Sequence, residues 1–374
     1  QVDGGMRIAV SIEDGRIRAS LPGPSSGAGA AVLAADLRID LGKDGCGAVV
    51  RVCGKKLRLR TGEYSDWVEL RFRSGFRTIR GICRFLLVSV KPSFRLYVTP
   101  LNIDPEHPAM PVSHPRYYSI YLAKLNGPFA TLGLAEDTWA LNEGVIGDAA
   151  FLRQAWDIQH EREAAFFEAL KRTRRGVCVC VFDITDRIQH MFYRYTDGRQ
   201  APDAGGDGSD GRAIRDVYRN MDALVGKTMD MLDDKTALFV MSDHGFAAFR
   251  RGINLNAWLE TEGYLARKAG AAGADYLADV DWERTRAYSF GLSGIYLNVK
   301  GRESGGIVPL DGARGALKRE IVARLSALRD PADGARAIRA VFDTDTVYNG
   351  PYRDNGPDLV VGYENGYRAS WKTA

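Results

Sequence analysis

Val177-Cys178-Val179-Cys180-Val181-Phe182-Asp183-Ile184-Thr185-Asp186-Arg187-Ile188-Gln189-His190 is the stretch on which the fold turns. It opens with six apolar residues, the pattern of a strand buried in a parallel sheet, and ends in a carboxylate and an imidazole four residues apart. A helix repeats every 3.6 residues, so Asp186 and His190 share a face and can chelate one ion. A second stretch has the same design: Ala237-Leu238-Phe239-Val240-Met241 runs into Ser242-Asp243-His244-Gly245. Here the donors are adjacent. Both reach one ion only if the chain turns sharply after the strand, and Gly245, without a Cβ, suits such a turn. Open α/β sheets place ligands at the carboxyl ends of their strands, where both pairs fall. Oxygen and imidazole donors suit Zn²⁺, and Mn²⁺ or Fe²⁺ with poorer selectivity. Either pair alone reads more readily as a helix cap or a satisfied polar group. Two pairs on successive strand ends argue for a two-metal centre. Asp183, three residues before Asp186, divides evenly between orienting a ligating histidine and capping the helix.

The surroundings set these segments in an α/β frame. From about Phe151 the spacing of Leu152, Ala155, Trp156, Ala164, Phe167 and Leu170 predicts a helix. Its end, Lys171-Arg172-Thr173-Arg174-Arg175-Gly176, has cations suited to the helix dipole and a glycine suited to a C-cap. Ile214, Val217, Tyr218, Met221, Leu224, Val225, Thr228 and Leu232 predict a second helix leading into the second apolar run. Helix, strand, helix, strand in that order favours parallel pairing through right-handed crossovers. Gln200 to Arg212 reads as a surface loop. Its aspartates do not make a calcium loop, because the bidentate Glu at the twelfth position is missing. Further strands are expected at Gly294–Val299 and Pro357–Gly362, with a helix near Ala316–Leu328 between them.

The N-terminal region differs in pattern. Trp67-Val68-Glu69-Leu70-Arg71-Phe72-Arg73 alternates apolar and charged residues, turns at Ser74-Gly75, and resumes through Arg80–Leu86. That is the period-2 pattern of antiparallel strands with one wet face. Pro22–Gly29 is expected as a loop. Twelve Lys or Arg fall between Arg51 and Arg95 against Glu63, Asp66 and Glu69. Such a face attracts phosphates or anionic lipid, but basic side chains also solubilise edge strands, the reading preferred here. The domains expected are a β-rich inserted domain over 1–103, a connecting segment over 104–147 and an α/β metal-binding core over 148–374.

At 374 residues the chain exceeds what one core serves. Its net charge of +4 carries no general argument for nucleic acid, and sequence-specific binding is not expected. No run of about 18 apolar residues indicates a membrane span. Five cysteines include no Cys-x-x-Cys pair, so a zinc ribbon finds no support. Cys178 and Cys180 read as packing residues of a buried strand. The odd count favours a reducing, cytoplasmic compartment.

Val181–Phe192 and Met241–Phe246, with Arg251–Leu259 and Gly366–Trp371, resemble the alkaline phosphatase superfamily in its type I phosphodiesterase and nucleotide pyrophosphatase branch. The resemblance implies a mostly parallel sheet flanked by helices, and a hydrolase of phosphoric esters whose two divalent ions, zinc or manganese, serve a Thr or Ser nucleophile. By motif, Asp186 and His190 would hold one ion, Asp243 and His244 the other. One ion would activate the nucleophile while the other polarises the phosphoryl oxygen. The substrate would be a small phosphate ester or a nucleotide. None of the five histidines, His107, His114, His160, His190 and His244, stands where the family has its C-terminal ligand, and no N-terminal nucleophile motif is present. The chain is therefore expected to be a piece of a longer protein whose remainder supplies both. Ser113, beside His114, is a weak stand-in for the nucleophile, since an activated Ser–His pair comes from residues distant in sequence, and a turn or supporting role suits it better. Two alternatives remain: a noncatalytic binding module keeping part of a metal site, and a phosphomutase or sulfatase relative. The nucleophile's identity separates the last two from a phosphodiesterase.

Overall fold

Alternation of charged and apolar residues between Arg16 and Arg60 builds the first sheet. Its strands β1 (Arg16–Ser25), β2 (Val32–Leu41), β3 (Gly47–Val52) and β4 (Lys55–Arg60) pair antiparallel in that order. One face buries Ile17, Leu37, Ile39, Val50, Val52 and Leu59, and the other is charged and wet. The computed structural model describes residues 5–25, 32–74, 77–196, 210–271 and 275–372. They fall into two compact units, Gln1–Met241 and Ser242–Ala374.

In the first unit, β5 (Val68–Ser74) and β6 (Arg77–Cys83) form the expected antiparallel pair. β7 (Phe85–Ser89) and β8 (Arg95–Val98) form a second pair, and β9 (Asn102–Ile103) joins β6. Leu70, Phe72, Cys83 and Phe85 close on the buried face of the first sheet. The region expected as a loop begins otherwise: β1 continues through Pro22 to Ser25 across a register irregularity, and residues 26–29 lie outside those described. Gly23 is there because its backbone passes against the Phe72 ring, where a Cβ would collide with it.

The helical layer of this unit comprises α1 (Tyr117–Asn126), α2 (Thr138–Asn142), α3 (Asp148–Arg172), α4 (Ile184–Phe192) and α5 (Ala213–Met229). Phe151, Leu152 and Ala155 of α3 meet Ile184, Ile188 and Phe192 of α4 and Val217 of α5 in one core, which also takes Leu86 and Tyr97 from the strands. Polar ties join the layers: Trp67 Nε1 donates to Glu161 at 2.6 Å, and Arg84 pairs with Asp157 at 2.7 Å. α3 ends as expected in basic residues, but its C-cap is Thr173, whose N–H bonds the carbonyls of Ala169 and Leu170. Gly176 instead turns the chain three residues later, at φ 103°.

The two apolar runs expected as buried parallel strands pair with no other strand among the described residues. Val177 is 84% and Val179 79% exposed, while Phe239, Val240 and Met241 are also exposed. An apolar β-branched run supplies strand propensity, but a strand exists only where a neighbour completes its hydrogen bonds. Around Val181 a side chain does this instead, as Arg162 donates to its carbonyl at 3.0 Å. Cys178 and Cys180 are half-buried and free, and burial pushes the Cys180 thiol up to about 11.

The second unit contains β10 (Phe249–Ile253), α6 (Leu255–Thr261), β11 (Ala287–Phe290), β12 (Gly294–Leu297), α7 (Gly312–Ser326), β13 (Ile338–Asp343), α8 (Thr344–Val347), β14 (Leu359–Tyr363) and β15 (Gly366–Ala369). The expected strands and the helix between them are thus present as β12, β14 and α7. Its main sheet runs β11-β12-β14-β13 and is antiparallel throughout. β10 and β15 are the one parallel strand pair among the described residues. The chain is therefore a mixed α/β protein with a β-rich N-terminal region, and among the described residues parallel pairing outside that ribbon is limited to isolated bridges such as Thr61 to Leu87 and Val299 to Val308. Asn254 caps α6 by accepting from Ala257 N–H at 3.0 Å, and its amide ties down the Lys372 carbonyl at 2.7 Å.

A charge network fastens the sheet of this unit. Asp358, fully buried, accepts from Leu297 N–H at 2.7 Å, Arg302 at 2.6 Å and Arg314 at 2.7 Å. Arg314 also holds Asp345, which is shared with the buried Lys318. Each buried charge meets an opposite one, the condition for tolerating it in an apolar interior.

Candidate metal centre

The first predicted pair lies on α4. Ile184, Ile188 and Phe192 recur every four residues and face the core, which turns Asp186 and His190 to the opposite, solvent-bearing side. Asp186 Oδ1 stands 3.2 Å from His190 Nε2. Two donors on a tetrahedral ion with bonds of about 2.0–2.1 Å are separated by about 3.3 Å. The pair thus fits the donor set of a zinc-type ion without rearrangement.

Three residues not singled out as site residues from sequence surround it. Arg187 donates to Asp186 Oδ2 at 2.6 Å, which leaves Oδ1 as the oxygen facing His190. The same guanidinium reaches the buried Glu136 at 3.5 Å. Burial raises the Glu136 carboxyl above its ordinary range, with Arg187 and Arg162 pulling the other way. Arg162 pairs with Asp183. Asp183 occupies the position before α4, but its side chain caps no helix N–H and is held by that guanidinium. Only the i, i+1 adjacency of Arg187 to Asp186 was visible in the sequence; Glu136 and Arg162 come from distant segments.

The second pair lies in the other unit, at a bend. Ser242 Oγ donates to the His244 carbonyl at 2.6 Å, and His244 N–H donates to Asp243 Oδ1 at 3.0 Å. These local bonds bring Asp243 Oδ2 to 3.6 Å from His244 Nε2. The His244 Nδ1 lies 3.0 Å from the Gly245 carbonyl, which can only accept. That contact assigns the proton of the neutral ring to Nδ1 and leaves Nε2 with the lone pair a metal requires. The expected role of Gly245 differs: its φ is outside the left-handed region and a Cβ there would meet nothing within 4 Å, so the turn is made at Asp243 without glycine's freedom.

Ser113 serves a turn. Its Oγ donates to the Pro115 carbonyl at 2.9 Å and accepts from Ser119 N–H at 2.9 Å, stabilising the start of α1. A further donor group, Glu69, Asp104 and His107, has ligand atoms within 4.8 Å of one another. Its spacing signal was Asp-x-x-His at 104–107, but Glu69 arrives from β5. Arg71 and Arg80 already occupy the two Glu69 oxygens, so a cation there would face two guanidinium groups.

Carboxylate–imidazole pairs of this kind are a donor set that divalent metals can use. The family of the chain is more definite. The type I phosphodiesterase / nucleotide pyrophosphatase model matches residues 108–372, and the chain belongs to that family, a group of metal-dependent hydrolases of phosphodiester and nucleotide substrates. No curated protein and no solved structure matches the chain.

Proposed function

We propose that this chain is a metal-dependent phosphodiesterase of the nucleotide pyrophosphatase type, with Asp186 and His190 holding one divalent ion and Asp243 and His244 another. The observation that carries the reading is the 3.2 Å approach of Asp186 Oδ1 to His190 Nε2 on the polar face of α4, in a chain of this family. Zinc suits the donors best, with manganese the second choice. Bound ions would supply Lewis-acid polarisation of the phosphoryl group and charge stabilisation in an in-line displacement. The protein's own contribution is positional. Arg187 fixes which Asp186 oxygen is offered, the α4 backbone sets the spacing to His190, and the Gly245 carbonyl holds the His244 tautomer. Asp183, paired with Arg162, keeps that guanidinium beside the start of α4. Residues 1–103 are proposed as an inserted β-rich domain, 104–147 as its connection and 148–374 as the metal-binding core.

The test is hydrolysis of a chromogenic phosphodiester beside the matching monoester, by protein stripped of metal and then given zinc or manganese. Metal-dependent turnover favouring the diester is expected. A preference for the monoester would move the assignment to a phosphatase or mutase. Metal binding without turnover of either would favour a binding module.

A further inference from the structure

The outer face of the first sheet has an arrangement that edge protection does not explain. Strand register places Arg18 opposite Arg38, Arg38 opposite Arg51, and Arg51 opposite Lys56. Four cations thus stand in one row across four strands, over about 14 Å at the usual strand spacing. Like charges directly opposite destabilise a sheet. Two of the four, Arg38 and Arg51, sit on the central strands β2 and β3, where there is no edge to protect. The flanking rows on the same face read Arg16, Asp40, Val49, Arg58 on one side and Ser20, Asp36 on the other, so the cations still outnumber the acids. Asp40 pairs with Arg51 and Arg16, and these pairs hold its carboxyl below the ordinary range. Among the described residues no carboxylate forms an ion pair with Arg18 or Arg38, and Lys56 acts on Asp40 only from beyond ion-pair contact. Excess positive charge on a flat face is complementary to a dense anionic surface.

We propose that this face docks on an anionic phospholipid bilayer. The chain leading into β1 carries exposed aliphatic side chains, Met6 at 72%, Ile8 and Ile12, beside Arg7. Exposed aliphatic groups in the segment that precedes a basic strand suit the boundary between headgroups and acyl chains. These rows contain no aromatic side chain on which bases could stack, which disfavours single-stranded nucleic acid as the partner. The docking is peripheral, since no described helix is long and apolar enough to cross a membrane.

The test is co-sedimentation of the full chain with vesicles of phosphatidylcholine, with and without phosphatidylserine, at low and physiological salt. Binding to the phosphatidylserine vesicles alone is expected, weakening as salt screens the charges. The double variant Arg38→Glu, Lys56→Glu should bind them at least about tenfold more weakly, as each basic residue near such a surface contributes about fivefold. Arg38→Gln, Lys56→Gln keeps the test valid if charge reversal perturbs folding. Its like-charge repulsion is relieved, so it should melt no lower than the parent protein while losing affinity. Equal binding to neutral vesicles, no binding to either kind, unchanged affinity in both variants, or displacement from vesicles by duplex DNA or polyuridylate would each overturn the proposal.

Discussion

Replacing His190 by alanine separates the proposed metal role of α4 from its structural one. The side chain is 40% exposed and lies on the face opposite Ile184, Ile188 and Phe192, so the helical core contacts survive its removal. Alanine also has the higher helix propensity, and the change in folding stability should stay within about 0.5 kcal/mol. Metal affinity should behave differently. Asp186 and His190 are already 3.2 Å apart, close to the roughly 3.3 Å separation of two ligands on a tetrahedral zinc, so the chelate forms without distortion and both donors count. Loss of a supporting group around a metal weakens binding about 10–100-fold, and loss of a direct donor should reach at least the upper end, about 2.7 kcal/mol. Zinc affinity measured by competition with a chromogenic chelator, alongside a urea unfolding curve, reads both quantities. Adding Asp186→Ala should weaken binding little further, because one absent donor has already broken the chelate. A His190→Ala protein that keeps zinc affinity within about threefold while folding normally would refute the ligand assignment.

Asp358→Ala should cost about 3–5 kcal/mol, because it leaves Arg302 and Arg314 beside a buried site without its central anion; a loss below about 1 kcal/mol in chemical denaturation would show that Glu303 and Asp345 suffice to neutralise them. Gly23→Ala should destabilise the first unit by about 1–3 kcal/mol, since the new Cβ has to displace the buried Phe72 ring, and an unchanged melting temperature would contradict that contact. Hydrogen bonding from Arg314 holds the Asp345 carboxyl at about 2, below its ordinary 3.8. The folded state therefore binds this proton less readily than the unfolded one, and the stabilisation is present above pH 3.8 and lost as pH falls towards 2. Acid unfolding of Asp345→Asn should accordingly show a flatter pH dependence over that window, and a profile superimposable on the parent's would remove Asp345 from the network's balance.

What was legible in the sequence was whatever repeats locally. The faces of α3 and α5, the alternation of β5 and β6, and the Asp186–His190 spacing each follow from one element's period. The two apolar runs failed for the same reason: Val177–Phe182 and Ala237–Met241 have the composition of buried strands, but composition cannot name a hydrogen-bonding neighbour. The Arg18–Arg38–Arg51–Lys56 row could not be read either. Its members come from four strands and become a row only through register, where a slip of one residue would turn each side chain to the other face. Gly23 reads as a loop residue from sequence because its partner, Phe72, is 49 positions away in the chain. Arg162 and Glu136 are likewise ordinary charged residues in the sequence until the fold brings them to α4.

The two proposed donor pairs are held by different means, and the difference follows from their spacing. Asp186 and His190 sit on a helix whose backbone hydrogen bonds and buried face are made whether or not a ligand is present, so their ordering is part of folding. Arg187 then removes one of the two oxygens of Asp186 from consideration. Asp243 and His244 have no regular element beneath them. Their approach depends on Ser242 and on the Asp243 side chain accepting from the very next backbone N–H, and the Asp243 carboxylate is 87% exposed. A donor fixed by folding brings little rotational entropy to be lost on binding, whereas an exposed one must be ordered at that moment. An i, i+4 pair can borrow its rigidity from a helix; an i, i+1 pair must obtain it from the bend itself, which is why a serine hydroxyl and a carbonyl-bound imidazole surround this one.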